Sequence, residues 1–286
     1  MSNRPIPVAP AGDPAMSGAG MIPPILLVGC GRMGSALLAG WRERGLAPSI
    51  AVDPAPETAR HAGQDLNVLA DATQVPAEFS PAAVVLAVKP QNAAATLPAY
   101  ARFAGKAVFL SIMAGRTIAG IQGLLGRDAA VVRAMPNTPA AVRQGVTVAC
   151  AAPGVDAAQR ALCDRLLQAI GVVAWAEQEA LLDPVTAVSG SGPAYVFLLA
   201  ELLEQAAVEQ GIPVDLARLL ARQTVAGSGA LLAASTEDAA ALRKAVTSPG
   251  GTTEAALRVL MEPEAWPAAL SRAVRAATER SRELAG

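Results

Sequence analysis

The stretch Ile25-Leu26-Leu27-Val28-Gly29-Cys30-Gly31-Arg32-Met33-Gly34 decides the fold. Four aliphatic residues run directly into a G-x-G-x-x-G pattern. The positions that follow, Leu37, Leu38, Gly40 and Trp41 together with Met33, recur at the three-, four- and seven-to-eight-residue spacing of one helix stripe. Strand, tight turn and helix start, in that order, are the context that gives the glycine pattern meaning. Gly29 permits the turn, Gly31 lets backbone approach a pyrophosphate with no Cβ in the way, and Gly34 lets the helix lie close on the strand. A diphosphate would then meet N–H groups at the positive end of the helix. Gly29, Gly31, Arg32 and Met33 are therefore candidate contacts of a dinucleotide cofactor.

Working outward, aliphatic runs at 25–28, 50–52, 84–88, 108–112, 131–134, 146–149 and 172–175 alternate with amphipathic stretches, as in βαβ units. The runs are continuous rather than alternating, so both faces of the sheet are expected to be covered. This half is read as a doubly wound, Rossmann-type sheet. Past Glu179 the strand signal stops, and helices are expected at 193–210, 214–234, 239–246, 253–261 and 265–284. The fold class is thus α/β, a Rossmann-type sheet followed by an all-α C-terminal domain. The expected divisions are a disordered extension over 1–20, a dinucleotide-binding domain over 21–178, and a helical substrate and dimerisation domain over 179–286. Helices this rich in Ala and Leu bury more than one stripe, which points to a partner subunit.

Composition narrows the chemistry. With 23 basic and 24 acidic residues scattered along the chain, there is no basic stripe for neutralising a phosphate backbone, so no nucleic-acid partner is expected. The cysteines, Cys30, Cys150 and Cys163, have no metal-ligand spacing, and the sole histidine, His61, lies in a polar stretch and reads as a surface residue. No metal site is expected, which favours a borrowed reagent such as a cofactor. Residues 1–20 lack the apolar run of a signal peptide. The apolar run from Tyr195 is interrupted by Glu201 and Glu204, so no membrane span is expected and the location is read as cytoplasmic.

Asp53 ends the second run, where an acidic residue usually bonds the adenosine ribose hydroxyls. A carboxylate there repels a 2′-phosphate and by itself favours NADH over NADPH; alternatively Asp53-Pro54 simply starts a turn. Ligands on such sheets sit at the carboxyl ends of strands, so the loops after 84–88 and 108–112 should line the same crevice. Lys89, in the first of them, reads equally well as a solvated loop charge.

Three further stretches are too particular for packing alone: Arg133-Ala134-Met135-Pro136-Asn137-Thr138-Pro139, Val188-Ser189-Gly190-Ser191-Gly192-Pro193-Ala194-Tyr195, and Val246-Thr247-Ser248-Pro249-Gly250-Gly251-Thr252-Thr253. Together with the glycine loop, and in this order from about Ile25 to near the C-terminus, they resemble the pyrroline-5-carboxylate reductase family. The resemblance implies reduction of the imine of L-1-pyrroline-5-carboxylate to L-proline, the last step of proline synthesis, by hydride transfer from NADPH or NADH. It also implies a homodimer with interlocked C-terminal helices, often assembled into larger rings. Matched motif by motif, the implied cofactor contacts are the glycine loop, Ala87, Val88, Lys89, Pro90, Ala114 and Asn137. The implied substrate contacts are Glu179, Gly251, Thr252 and Thr253.

The residues at 250–253 are consistent with that. No Lys or Arg lies within the motif to hold a substrate carboxylate, but the start of a helix there offers N–H groups to an anion. Thr253 is the candidate catalytic hydroxyl near the imine nitrogen, orienting the ring or relaying a proton. The plainer alternative makes Thr252 or Thr253 an N-cap. The chain departs from the family in having Cys30 for a usual Ala, Asp53 where many members have a small or polar residue, and Ala245 where some have Asn.

Two other readings compete. A β-hydroxyacid dehydrogenase also couples a glycine loop to helices, but it needs a general base for the hydroxyl proton, commonly a lysine on the helical domain, where only Lys244 stands and without that family's motif. A dinucleotide-sensing binding protein would need an effector surface. Arg272, Arg275, Arg280 and Arg282 are interspersed with Glu279 and Glu283, as on a solvated face.

Overall fold

A computed structural model describes residues 21–285; the extension expected over 1–20 lies outside them. The chain forms two compact units, one comprising described residues 21–190 and 278–285, the other 191–277. The expected division was at 178/179.

The first unit is built on one eight-stranded sheet: β1 (Ile25–Val28), β2 (Ser49–Val52), β3 (Leu66–Leu69), β4 (Ala83–Leu86), β5 (Val108–Ser111), β6 (Val131–Met135), β7 (Gly145–Ala151) and β8 (Gly171–Trp175). Their order is β3-β2-β1-β4-β5-β6-β7-β8. All neighbours are parallel except β6 and β7. The first six strands thus follow the doubly wound order, whose reversal between β1 and β4 opens a crevice at the carboxyl ends.

Period-two alternation divides the strand side chains between two cores. Ile25, Leu27, Val85, Leu110 and Val132 face Leu37, Leu38 and Trp41 of α1 (Arg32–Glu43). The same core takes in Leu162, Leu166 and Leu167 of α4 (Ala157–Gln168). Leu26, Val28, Val84, Leu86, Phe109 and Val131 face the other way, against Leu97, Tyr100, Phe103 and the helix α3 (Ile118–Leu125). Each fully buried aliphatic or aromatic side chain contributes about 1.5–3 kcal/mol. Trp41 is buried at no polar cost because its indole N–H donates to the Leu166 carbonyl at 2.9 Å.

Seven of the eight strands coincide with the aliphatic runs; the eighth, β3, is a short half-exposed edge strand without such a run. The run at 84–88 overshoots β4 by two residues, because Ala87 and Val88 leave the sheet for the loop. The crossovers expected to be amphipathic include 3-10 turns at Pro56–His61 and Leu97–Phe103, and a single turn of helix, α2 (Ala93–Thr96). Proline in the first turn of each 3-10 segment removes a backbone donor. After β8 the chain makes the short helix α5 (Leu182–Val185) and a π-type turn at Thr186–Gly190.

The second unit holds α6 (Gly192–Glu209), α7 (Val214–Ala234), α8 (Ala239–Ala245), α9 (Thr252–Leu260) and the start of α10 (Trp266–Ala285). Gly211, in the left-handed region at φ 84°, turns α6 into α7, and the two pack as a hairpin around buried Ala217 and Ala221. No residue of α6 is buried, and Phe197, Leu198, Leu219 and Leu231 are more than half exposed. By length and composition alone, the helical run Glu179–Glu209 is apolar enough to cross a membrane.

Candidate active site

The carboxyl edge of the sheet gathers the expected cofactor residues. Gly29 sits at φ 91°, and a Cβ on it would lie 2.8 Å from the Ala87 carbonyl, so only glycine lets the β1 and β4 loops come this close. A Cβ on Gly34 would run into the Gly29 carbonyl oxygen. Gly31 is different. Nothing lies within 4 Å of where its Cβ would stand, so its missing side chain leaves open space rather than relieving a clash. The first helical bond of α1 runs from the Ser35 N–H to the Gly31 carbonyl at 2.8 Å, which leaves the N–H groups of Arg32, Met33 and Gly34 without helical partners. No acidic residue stands in that first turn. The open side of Gly31 beside these donors is a place a diphosphate fits.

Asp53 braces this loop. One carboxylate oxygen accepts from the Cys30 N–H at 2.6 Å and the other from the Ala55 N–H at 2.9 Å. The second bond is the turn-forming contact weighed in the sequence; the first puts a negative charge at the rim of the glycine loop. Burial, and secondarily the Asp53 charge, push the Cys30 thiol up to about 11, so it stays neutral at physiological pH.

Ala87, Val88 and Pro90 are half-buried after β4, while Lys89 is exposed. Exposed Ala114 follows β5, and Arg116 ties the two loops by donating to the Pro90 carbonyl at 2.9 Å. Asn137 is buried just beyond β6, its side-chain oxygen accepting from the Val146 N–H at 3.0 Å. That bond pins the start of β7.

Glu179 follows β8 and takes two bonds on the same oxygen, from the Ile118 N–H at 2.8 Å and from the Arg133 guanidinium at 2.8 Å. Arg133 was not singled out as a site residue in the sequence. The signal was there: a charge inside the aliphatic run Val131-Val132-Arg133-Ala134 must be paired to be buried.

In the helical unit, Gly250 adopts φ 71° and Gly251 is the N-cap of α9. Thr252 and Thr253 are therefore its first two helical residues and not caps. The Ala255 N–H bonds the Gly251 carbonyl at 3.2 Å, leaving the N–H groups of Thr252, Thr253 and Glu254 at the helix mouth. The Glu254 carboxylate accepts from the Gly250 N–H at 2.9 Å and so rigidifies the turn. Among the described residues, no cluster of His, Cys, Asp and Glu is placed to hold a metal.

Comparison with known proteins accords with both halves. Residues 24–115 match the family model described as NADP oxidoreductase coenzyme F420-dependent, and residues 179–284 match the one described as pyrroline-5-carboxylate reductase dimerisation. The pyrroline-5-carboxylate reductase of Pseudomonas aeruginosa is 39% identical over 92% of this chain and 97% of its own length. Among solved structures, a pyrroline-5-carboxylate reductase from Coxiella burnetii superimposes with a TM-score of 0.85 at 32% identity, covering 93% of this chain and 99% of that one. The pyrroline carboxylate reductase of Plasmodium falciparum, solved with NADP bound, gives a TM-score of 0.79 at 27% identity over 93% of this chain and all of its own. Near-complete coverage at such identity settles the relationship: the chain belongs to the pyrroline-5-carboxylate reductase family.

Proposed function

We propose that the chain reduces the C=N bond of L-1-pyrroline-5-carboxylate to give L-proline, using NADPH or NADH. The observation that carries the reading is the unobstructed face of Gly31 beside the unpaired N–H groups of Arg32, Met33 and Gly34, with no acidic side chain in that turn. These atoms would hold the diphosphate, and Ala87, Val88, Lys89, Pro90, Ala114 and Asn137 would line the rest of the cofactor's path. When bound, the reduced nicotinamide supplies the hydride that the imine carbon accepts. The carboxylate at the rim from Asp53 favours NADH, whereas the Plasmodium falciparum relative was solved with NADP bound.

For the substrate, the N–H groups of Thr252 and Thr253, following Gly251, would bind the carboxylate at the positive end of α9. Because Gly251 already serves as N-cap, the Thr253 hydroxyl is available to hydrogen-bond the imine nitrogen. A donor there stabilises the nitrogen most as it becomes an amine, which lowers the barrier rather than only tightening binding. Glu179 is the remaining substrate contact. The exposed apolar surface of α6 and α7, in a region that matches a dimerisation family, supports a homodimer.

Reduction of the pyrroline carboxylate with NADPH and NADH in parallel, followed by loss of reduced-nicotinamide absorbance and by proline product, tests the reading. Absence of proline with both cofactors overturns it. Thr253→Ala should lower kcat by about a hundred- to a thousandfold; unchanged kcat removes its assigned role.

A further inference from the structure

Arg133 lies mid-strand in β6, flanked by Ser111 of β5 and Cys150 of β7, and only 4% of it is exposed. By strand alternation it points to the same side as Val131 and Met135, into the core that also holds Ile118 and Leu182. A guanidinium in that setting is expensive to desolvate, and a hydrophobic residue of similar size would fill the space at less cost. Its side chain does one evident thing: it holds Glu179 at 2.8 Å. The Ile118 N–H meets the same oxygen, and Ile118 opens α3 just after the loop bearing Ala114. Two bonds on one oxygen anchor that end of the carboxylate and narrow the ways it can turn. The Glu179 side chain keeps 27% of its surface open, against 5% for that of Arg133.

We propose that Arg133 is a positioning residue for the reductase reaction. Through the shared oxygen it locks the Glu179 carboxylate in the orientation that meets the cyclic imine, and it couples that orientation to the starts of α3 and of the segment after β8. This rests on the assignment of Glu179 as a substrate contact.

The test is steady-state kinetics of Arg133→Lys, Arg133→Met, Glu179→Gln and the charge-free double variant Arg133→Met/Glu179→Gln, with thermal melts and calorimetric binding of L-proline to each. Displacement of a contact by an ångström is enough to cost up to about a hundredfold. Arg133→Lys, which keeps the charge but not the fork, should raise KM for the imine and Kd for L-proline about tenfold, leaving KM for the nicotinamide cofactor within about twofold. Arg133→Met should be worse on both. The double variant removes the unpaired charge, so it should recover melting temperature relative to Arg133→Met while the imine KM stays high. If melting temperature alone changes in the Arg133 variants and imine KM and L-proline affinity hold, Arg133 is a structural residue only and the proposal fails. If Glu179→Gln itself leaves imine KM and L-proline Kd unchanged, the assignment of Glu179 is what fails, and the proposal falls with it.

Discussion

Two glycines of the same motif, Gly31 at the N-cap of α1 and Gly34 in its first turn, should respond in opposite ways to the same added methyl group. Gly31 is the N-cap of α1 at φ −67°, a conformation alanine adopts without strain, and a Cβ there meets nothing within 4 Å. The N-cap preference for glycine over alanine costs about 1 kcal/mol, and the reduced freedom of the unfolded chain offsets about 0.4–1 kcal/mol of it. The net change in stability is within about 1 kcal/mol, or about 2–4 °C in Tm. The methyl group nevertheless fills the space assigned to the diphosphate. Overpacking of that kind costs about 1–3 kcal/mol, so the Kd for NADPH or NADH should rise by about five- to 150-fold. Gly34→Ala has the reverse profile. Its Cβ would strike the Gly29 carbonyl, and Gly29 cannot retreat because its own bare α-carbon is already packed on the Ala87 carbonyl. Even after the helix-propensity gain of about 1 kcal/mol, we expect about 2 kcal/mol of destabilisation and a Tm lower by about 4–8 °C. Differential scanning calorimetry and titration calorimetry with the cofactor read the two quantities separately, without turnover. A Gly31→Ala protein that binds both cofactors within twofold of the parent would refute the assignment of the open face as the phosphate cradle.

Other perturbations follow from the same geometry. A carboxylate about 4 Å from a 2′-phosphate is opposed by between about 1 and 4 kcal/mol, depending on how wet the site is. Asp53→Ser should therefore shift the ratio of kcat/KM for NADPH over NADH by about thirtyfold toward NADPH, and a shift below about threefold contradicts the role given to that charge. Asp65 forms a two-pronged pair with Arg42 at 2.7 and 2.8 Å, and Arg42 holds its carboxyl below the ordinary carboxylate range. With the folded-state value depressed, the contribution is present above the unfolded value and lost as pH falls through the folded one. Wild type should exceed Asp65→Asn by about 1 kcal/mol at pH 7, and the difference should shrink as acid protonates the depressed carboxyl; parallel stability curves would contradict this. Burial raises the thiol of Cys30 to about 11 and that of Cys163 to about 12. Neither should react with iodoacetamide at about pH 8 until the protein is unfolded, and mass spectrometry showing rapid native labelling would count against the burial described.

Much of this was legible in residue order because the physics involved is local. Ile25-Leu26-Leu27-Val28 running into three glycines specifies strand, turn and helix within ten residues, and the aliphatic runs at β4, β5 and β6 mark strands covered on both faces. What was not legible depends on partners distant in the chain. A hydrophobic run carries no direction, so nothing announced that β7 lies antiparallel to β6. The edge strand Leu66-Asn67-Val68-Leu69 pairs on one side only and is half-exposed, so it lacks the continuous apolar signal of its neighbours. Glu179 could be placed by its motif, but its partners Arg133 and Ile118 stand 46 and 61 residues away. The N-cap of α9 fell to Gly251 because a threonine hydroxyl and a bare backbone are both acceptable at a helix start, and only the conformation decides between them.

The path of α10 bears on how the protein can be taken apart. The chain leaves the sheet unit after Gly190 and rejoins it at Thr278, where the Ser281 hydroxyl donates to Asp183 at 2.8 Å and the Leu284 backbone fits against the side-chain-free α-carbon of Gly115. A chimera that exchanges helices between two relatives must therefore splice at two junctions. One made by a single cut near residue 190 would leave Asp183 and Gly115 of one parent facing the last turns of the other, and those two spots are where such hybrids should first lose stability.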